Sequence, residues 1–426
     1  MADFGIDAKT GFFPSRPLEK LPEFYSAWEH ALASANDQVS LGEDNGPEAC
    51  SRRASSVIWR ETIRKMNVLD TRTLGDNTRL LQRAHHVLAY LVHFYVHSDP
   101  APSPDAPVHV PASLAIPLVD ISTKLGIAPV LTFADTVLWN YELIDPRGPV
   151  AISNMRCPTL FTRFKDEEAF YLCSAGIELR GVEALLLIDN FLRLREPFSD
   201  SDREALGKLL ADLTRVIDDL KSILESVRPD CRPTTFYHCI RPWFKGCDAN
   251  GANSAGWVYD GVKDSHKLDL SGPSAGQSCL MHAIDAFLVI DHALEKHRTP
   301  VPSPQNRKAD LTFMSRMQRY MPKTQKSFLE FLAALPVTIR DVAEEDHKLT
   351  SLYNDAVGSM KEFRNAHMKI ATLYIISQAR RGPPGQASAG AEAGRSAVLG
   401  TGGNELSLLL KAGRDATSRA ALPGPN

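Results

Sequence analysis

The apolar positions of this chain fall mostly three and four residues apart, which is the spacing of helices that bury one face. Glu204 to Val227 is the clearest stretch. Leu206, Leu209, Leu210, Leu213, Val216, Ile217, Leu220, Ile223, Leu224 and Val227 alternate at helical spacing behind a Ser199-Asp200-Ser201 cap region. Ser174 to Leu194, Cys279 to Lys296, Lys326 to Leu335 and Asn354 to Ala379 read as further helices, and a short one is expected from Asn404 to Ala412. Strand-like alternation is rare. The pattern predicts an all-α protein.

Interruptions of this pattern mark the loops. Ser98 to Pro111 is rich in proline and serine and reads as a surface loop. Ile144 to Pro158 holds Pro146, Gly148 and Pro158 between helical regions, and the domain linker is expected at 148–158. This gives a smaller, mostly helical N-terminal unit (1–147) and a large helical unit (159–426). Arg298 to Lys308 reads as an exposed insertion. Arg381 to Gly403 combines Gly, Ala, Ser and Pro with little periodicity and is expected to be mobile. Its Gly400-Thr401-Gly402-Gly403 run could close over a pocket or form a tail loop.

Composition narrows the functions. With 426 residues, 43% hydrophobic and 23% charged, the chain can bury a large core. A net charge of −3 and a pI near 6.5 give no polyanion-binding signature, so nucleic acid is not expected as a partner. There is no apolar run of membrane-spanning length and no leader-like start at Met1 to Lys20, so a cytosolic protein without membrane contact is expected. The seven cysteines lack CxxC spacing, which argues against a zinc site or a disulfide framework.

His367 stands mid-helix in Phe363 to Tyr374, with Phe363, Ile370, Ala371 and Tyr374 at helical offsets. Its imidazole is therefore expected to point inward with the apolar stripe, where it needs a hydrogen-bond acceptor or a metal. His85, His86, His93 and His97 cluster on another helical stretch. No HExxH-like carboxylate accompanies them, and they read as packing or surface residues.

Several segments, taken in order, resemble the indoleamine 2,3-dioxygenases. They are Leu131 to Asn140, Phe236 to Arg241, Gly272-Pro273-Ser274-Ala275-Gly276-Gln277-Ser278, Arg319-Tyr320-Met321-Pro322, the His367 helix and Gly400 to Gly403. The resemblance runs from about Leu18 to the C-terminal helix. It implies a haem b protein, one iron per chain and monomeric, with His367 as the proximal ligand and the N-terminal unit capping the distal pocket. The implied reaction inserts dioxygen across the indole C2–C3 bond of L-tryptophan to give N-formyl-L-kynurenine, the entry to kynurenine and NAD biosynthesis, and an electron donor keeps the iron ferrous.

By the same resemblance Phe133, Val137, Phe170, Phe236 and Tyr237 form the substrate wall, and Arg241 pairs with the substrate carboxylate through its two parallel donors. Ser174, one helical turn before Glu178, matches a distal serine that can hydrogen-bond a ligand without acting as a strong base, so no acid–base residue is expected. It equally reads as a small residue permitting close approach of helix and haem. Ser274, Ala275 and Gly276 would sit on the distal rim, and Thr401 would meet the substrate ammonium or close the pocket. Arg364 matches an arginine near a haem propionate and Asp285 a carboxylate near the His367 helix; a helix-surface salt bridge is the plain alternative for each. Tyr237 and Thr136 depart from the animal pattern of an apolar aromatic and a cysteine, so substrate breadth can differ. Two other functions stay open: a catalytically weak haem-binding paralogue with a signalling role, and a haem enzyme acting on another indole.

Overall fold

A computed structural model describes residues 1–99, 106–249, 255–292, 313–379, 398, 400 and 405–423. Its architecture is helical, as the spacing predicts. The first helices are α1 (Ser26–Gln38), α2 (Pro47–Lys65), α3 (Thr78–His97) and α4 (Ala112–Leu125). After Lys165 follow α5 (Lys165–Arg180), α6 (Val182–Arg193), α7 (Asp200–Glu225), α8 (Cys279–Phe287), α9 (Lys323–Ala333), α10 (Ile339–Glu344), α11 (His347–Ala371) and α12 (Leu406–Ala420). No helix among the described residues is long and apolar enough to cross a membrane.

The largest helix–helix packing is between α7 and α11. Ser199 caps α7 reciprocally with Asp202, and Leu206, Leu210, Leu213, Val216, Ile217 and Leu220 are buried along one face. Each such side chain contributes roughly 1.5–3 kcal/mol by leaving water. On α11, Leu349, Tyr353, Ala356, Val357, Met360 and Phe363 form the matching stripe. A continuous apolar core runs from Ile6 to Leu422.

Some sequence expectations need correction. Ser174 to Leu194 is not one helix: it breaks at Gly181, where an added Cβ would lie 2.0 Å from Leu280 Cδ2. α8 ends at Phe287 rather than running toward Lys296, and Val289 adopts a left-handed backbone. The C-terminal helix extends to Ala420, past the expected end at Ala412. Val108–Val110 (β1), expected in a surface loop, pairs in parallel with Trp257–Tyr259 (β4). A small antiparallel pair, Glu142–Leu143 (β2) with Met155–Arg156 (β3), brackets residues 144–154 of the expected linker region. The Arg298 to Lys308 insertion, Thr401 and nearly all of 381–403 lie outside the described residues. All seven cysteines are free thiols.

Candidate functional site

Three π-helical turns converge in one region: Ala134–Leu138, Phe236–Ile240 and Thr372–Ile376. The first two pack on α5, and the third packs on the second. Single π turns inside helices recur at functional sites because the shifted hydrogen-bond ladder re-aims side chains. Helical periodicity does not register that shift, so the turns are not legible from the sequence.

The third turn continues α11 directly past His367. Phe363, Ala371 and Tyr374 are buried as expected, and Ala366 with them, but Ile370 and His367 are only half-buried, at the edge of the stripe rather than within it. Its ring makes no hydrogen bond to a described residue. Desolvation, aided by the Arg364 cation one turn earlier, lowers its pKa to about 4, so the imidazole is neutral near pH 7. A neutral ring nitrogen without a protein partner is what a metal ion requires of histidine.

Arg364 and Asp285 are paired with each other. Arg364 Nη2 donates to both Asp285 oxygens at 2.7 and 2.6 Å, and its Nη1 donates to the Thr417 hydroxyl of α12. His292 Nε2 donates to Asp285 at 2.8 Å. Burial opposes a charge on Asp285, yet Arg364 and His292 outweigh it and hold the carboxyl below its ordinary range.

An aromatic wall faces this helix end. The Phe236 ring lies 5.7 Å from Tyr374 and 4.7 Å from Phe170, and Phe170 stacks 6.2 Å from Phe244. Phe244 was not anticipated; its place beside Phe170 follows from the tertiary fold alone. Ser174 is half-buried one turn after Phe170, and its hydroxyl donates weakly to the Phe170 carbonyl at 3.4 Å. Phe133 and Val137 are buried at the first π turn. The Thr136 hydroxyl there donates to the Thr132 carbonyl at 3.2 Å and is engaged with its own backbone.

Arg241 and Tyr237 stand four residues apart, with the guanidinium 5.4 Å from the centre of the phenol ring. Burial lowers the Arg241 pKa and Tyr237 counteracts the shift. His238 meets the Tyr237 ring edge-to-face at 4.9 Å and is half-buried. The segment that follows is held from behind by two histidines of α3: His93 Nδ1 lies 2.6 Å from the Trp243 carbonyl, and His97 Nε2 lies 2.9 Å from that of Lys245.

The Gly272 to Ser278 segment is tied to the first π turn. Gln277 accepts from Phe133 N–H at 2.8 Å and donates to the Gly272 carbonyl at 2.9 Å. Gly272 is required sterically, since its Cβ would lie 1.8 Å from the Phe244 oxygen where the two chain segments cross. Ser274 Oγ accepts from Gly276 N–H at 3.2 Å, Ala275 is exposed, and Gly276 O lies 2.9 Å from His282 Nε2. Ser278 donates to Glu178 of α5 at 2.5 Å, and burial pushes that carboxyl up to about 7.

The α3 histidines are packing residues with defined partners. His85 Nδ1 lies 2.8 Å from Asp135, whose other oxygen accepts from Thr132 N–H and Oγ–H at 2.8 and 2.7 Å. His86 bridges the Asp135 carbonyl at 2.9 Å and the Thr159 hydroxyl at 3.0 Å. Burial lowers its pKa to about 3, so it serves as a neutral hydrogen-bonding strut beneath the first π turn.

Comparison with known proteins bears on this arrangement. A family model described as Indoleamine 2,3-dioxygenase matches residues 1–420. The chain is 30% identical to mouse Indoleamine 2,3-dioxygenase 1 over 426 residues, covering 100% of this chain and 96% of that protein. It is 31% identical to mouse Indoleamine 2,3-dioxygenase 2 over 431 residues, covering 99% and 95%. It is 26% identical to a 6-hydroxytryptophan 2,3-dioxygenase of Fusarium equiseti over 379 residues, covering 88% and 84%.

Proposed function

Since the chain belongs to the indoleamine 2,3-dioxygenase family, we propose that it is a haem-dependent dioxygenase converting L-tryptophan to N-formyl-L-kynurenine. The observation that carries this reading is the neutral, half-buried His367 ring, without a hydrogen-bond partner among the described residues, beside an aromatic wall. These residues fit haem b: one imidazole for the iron, and apolar faces for a flat macrocycle. Ferrous haem supplies the activation of dioxygen when bound.

The protein's own part is holding and positioning. His367 would hold the iron through a ring nitrogen, and the Arg364–Asp285–His292 cluster fixes the helix that carries it. Phe133, Val137, Phe170 and Phe236 exclude water and hold the indole flat, while Tyr237 borders the carboxylate end. Arg241 takes the substrate carboxylate. Ser174 offers a hydroxyl on the distal helix, and Ser274, Ala275 and Gly276 leave room for the ring at the rim. We assign 1–147 to the unit covering the distal side and 159–426 to the unit holding haem.

The test is turnover of L-tryptophan by haem-loaded, reduced protein, read as N-formylkynurenine absorbance. Full haem loading without product would overturn the proposal. A second reading, action on a ring-substituted indole, is favoured by the phenol of Tyr237 at the wall and by the Fusarium relative's substrate. Parallel assays with hydroxytryptophans separate the two.

A further inference from the structure

We propose that Asn140 is a positioning residue that sets the spacing between two walls of the indole site, and with it the discrimination between an unsubstituted and a ring-substituted indole. The inference rests on the dioxygenase reading and deepens it by tracing substrate choice to a residue that touches no substrate.

One wall is the π turn Ala134–Leu138, which holds Val137 and is preceded by Phe133; the other is α5, which carries Phe170 and Ser174. Asn140 lies two residues past the turn and is buried, and both ends of its amide are used. Nδ2 donates to Thr159 O at 2.8 Å and to Thr136 O, within the turn, at 3.3 Å, while Oδ1 accepts from Thr159 N–H at 3.0 Å. The turn is thereby clipped to the peptide of Thr159.

Two arms run from this clip to one carboxyl on α5. Along the backbone, Thr159 leads to Phe161 and Thr162, whose N–H groups each donate to Glu167 at 2.8 Å. Through side chains, Asn140 Nδ2 donates to the Tyr90 hydroxyl at 3.2 Å, the Tyr90 hydroxyl to that of Tyr171 at 3.5 Å, and the Tyr171 hydroxyl to Glu167 at 3.0 Å. The Thr162 hydroxyl is a fourth donor to Glu167, at 2.6 Å. Glu167 precedes Phe170 and Ser174 by three and seven residues on one helix, so the loop closes on the face that bears them.

Asn140, Tyr90, Tyr171, Thr159 and Glu167 are all buried, and a buried polar network whose members are paired rigidifies the core around it. The Tyr90 ring stacks on Phe161 at 4.7 Å, and Phe161 stacks on Trp243 at 5.4 Å, so the side-chain arm is wedged against the backbone arm. Apolar packing is non-directional and lets surfaces slide, whereas hydrogen bonds fix both distance and direction. A hydrophobic slot rejects an added methyl group only as far as its walls refuse to part. The loop through Asn140 and Glu167 is what opposes that parting.

The experiment compares L-tryptophan with 6-methyl-L-tryptophan on haem-loaded protein, with Kd values read from haem absorbance changes. Wild type should separate the two by roughly 10-fold or more, in either direction, the low end of what one methyl-sized group is worth in a packed pocket. Asn140→Asp keeps the size and the acceptor for Thr159 N–H but gives up the amide donors, and should narrow that separation about 3- to 10-fold. Glu167→Gln, at the far end of the loop, should narrow it similarly, and the double variant no further, because both cut one loop. Tyr90→Phe leaves the Thr159 clip and the backbone arm intact and should narrow it less. Equal weakening of both probes marks Asn140 as merely structural and overturns the assignment, as do an unmoved ratio, fully additive losses in the double variant, or a wild type that binds the two probes equally. If Asn140→Asp fails to load haem, Glu167→Gln carries the same expectation. Wild-type protein that loads haem yet binds neither probe overturns the dioxygenase reading together with this one, whereas a normal wild-type separation that the variants leave unmoved overturns this one alone.

Discussion

Replacing Gln277 with leucine should cost about 2–4 kcal/mol of stability, although the volume hardly changes and no predicted ligand is touched. Gln277 is 2% exposed and uses both ends of its amide, accepting from Phe133 N–H at 2.8 Å and donating to Gly272 O at 2.9 Å. Leucine leaves a buried N–H and a buried C=O without partners, each costing about 1–3 kcal/mol. Relief from burying an amide offsets part of that sum. Urea unfolding followed by far-UV circular dichroism should show a lower midpoint with an unchanged slope.

Gln277→Glu sharpens the test. A carboxylate can accept from Phe133 N–H but offers nothing to the Gly272 carbonyl, whereas the protonated acid serves both. Its folded pKa should therefore lie above the unfolded value, and the stability this provides is present below the unfolded pKa and lost as pH rises through the folded one. The deficit against wild type should be smallest near pH 4 and largest near neutrality. A leucine variant with the wild-type midpoint, or a glutamate variant with no pH trend, would refute the two-ended bridge.

Other expectations follow from neighbouring groups. Glu178→Gln should flatten the pH dependence of stability: burial raises the Glu178 pKa from 4.5 to about 7, so wild type should lose about 3 kcal/mol as pH climbs through that window, read by unfolding midpoints at several pH values. Asp285→Ala should cost about 3–5 kcal/mol by stranding the Arg364 charge. Because the Asp285 pKa is depressed, the stability it contributes is present above the ordinary carboxyl range and lost as pH falls through the lowered value, so acid melts should separate the two proteins less than neutral ones. His367→Ala should abolish the spectrum of histidine-ligated haem, and restoration by added imidazole would support axial ligation. Gly181→Ala should cost about 1–3 kcal/mol by overpacking against Leu280, measured by thermal melts.

The α7 stripe and its Ser199 cap were legible in the sequence because both are local: the spacing of leucines and a capping residue need no knowledge of the rest of the chain. The Gly181 break was not, and the reason a glycine stands there is Leu280, a residue distant in sequence that packs where a Cβ would be. Gln277 read as one letter of a motif, and its bridge to Phe133, 144 positions away, exists only once the chain between them has folded. The same holds for the pairing of Val108–Val110 with Trp257–Tyr259. His367 was placed on its helix correctly but set too deep, because periodicity gives a direction around the axis and no depth. Its neighbours Arg364 and Asp285 emerged from family resemblance, while their mutual ion pair and the Thr417 and His292 contacts come from tertiary structure.

The hold of Thr417 on Arg364 has a consequence for how the protein is made. Arg364 lies three residues from His367, and the hydroxyl that steadies it arrives 53 residues later in the chain. During synthesis, when domains fold as they emerge, α7 and the first turns of α11 can pack well before α12 exists. The surroundings of His367 are finished last. A message cut short ahead of Thr417 would yield a chain with most of its core and a histidine helix that lacks this brace.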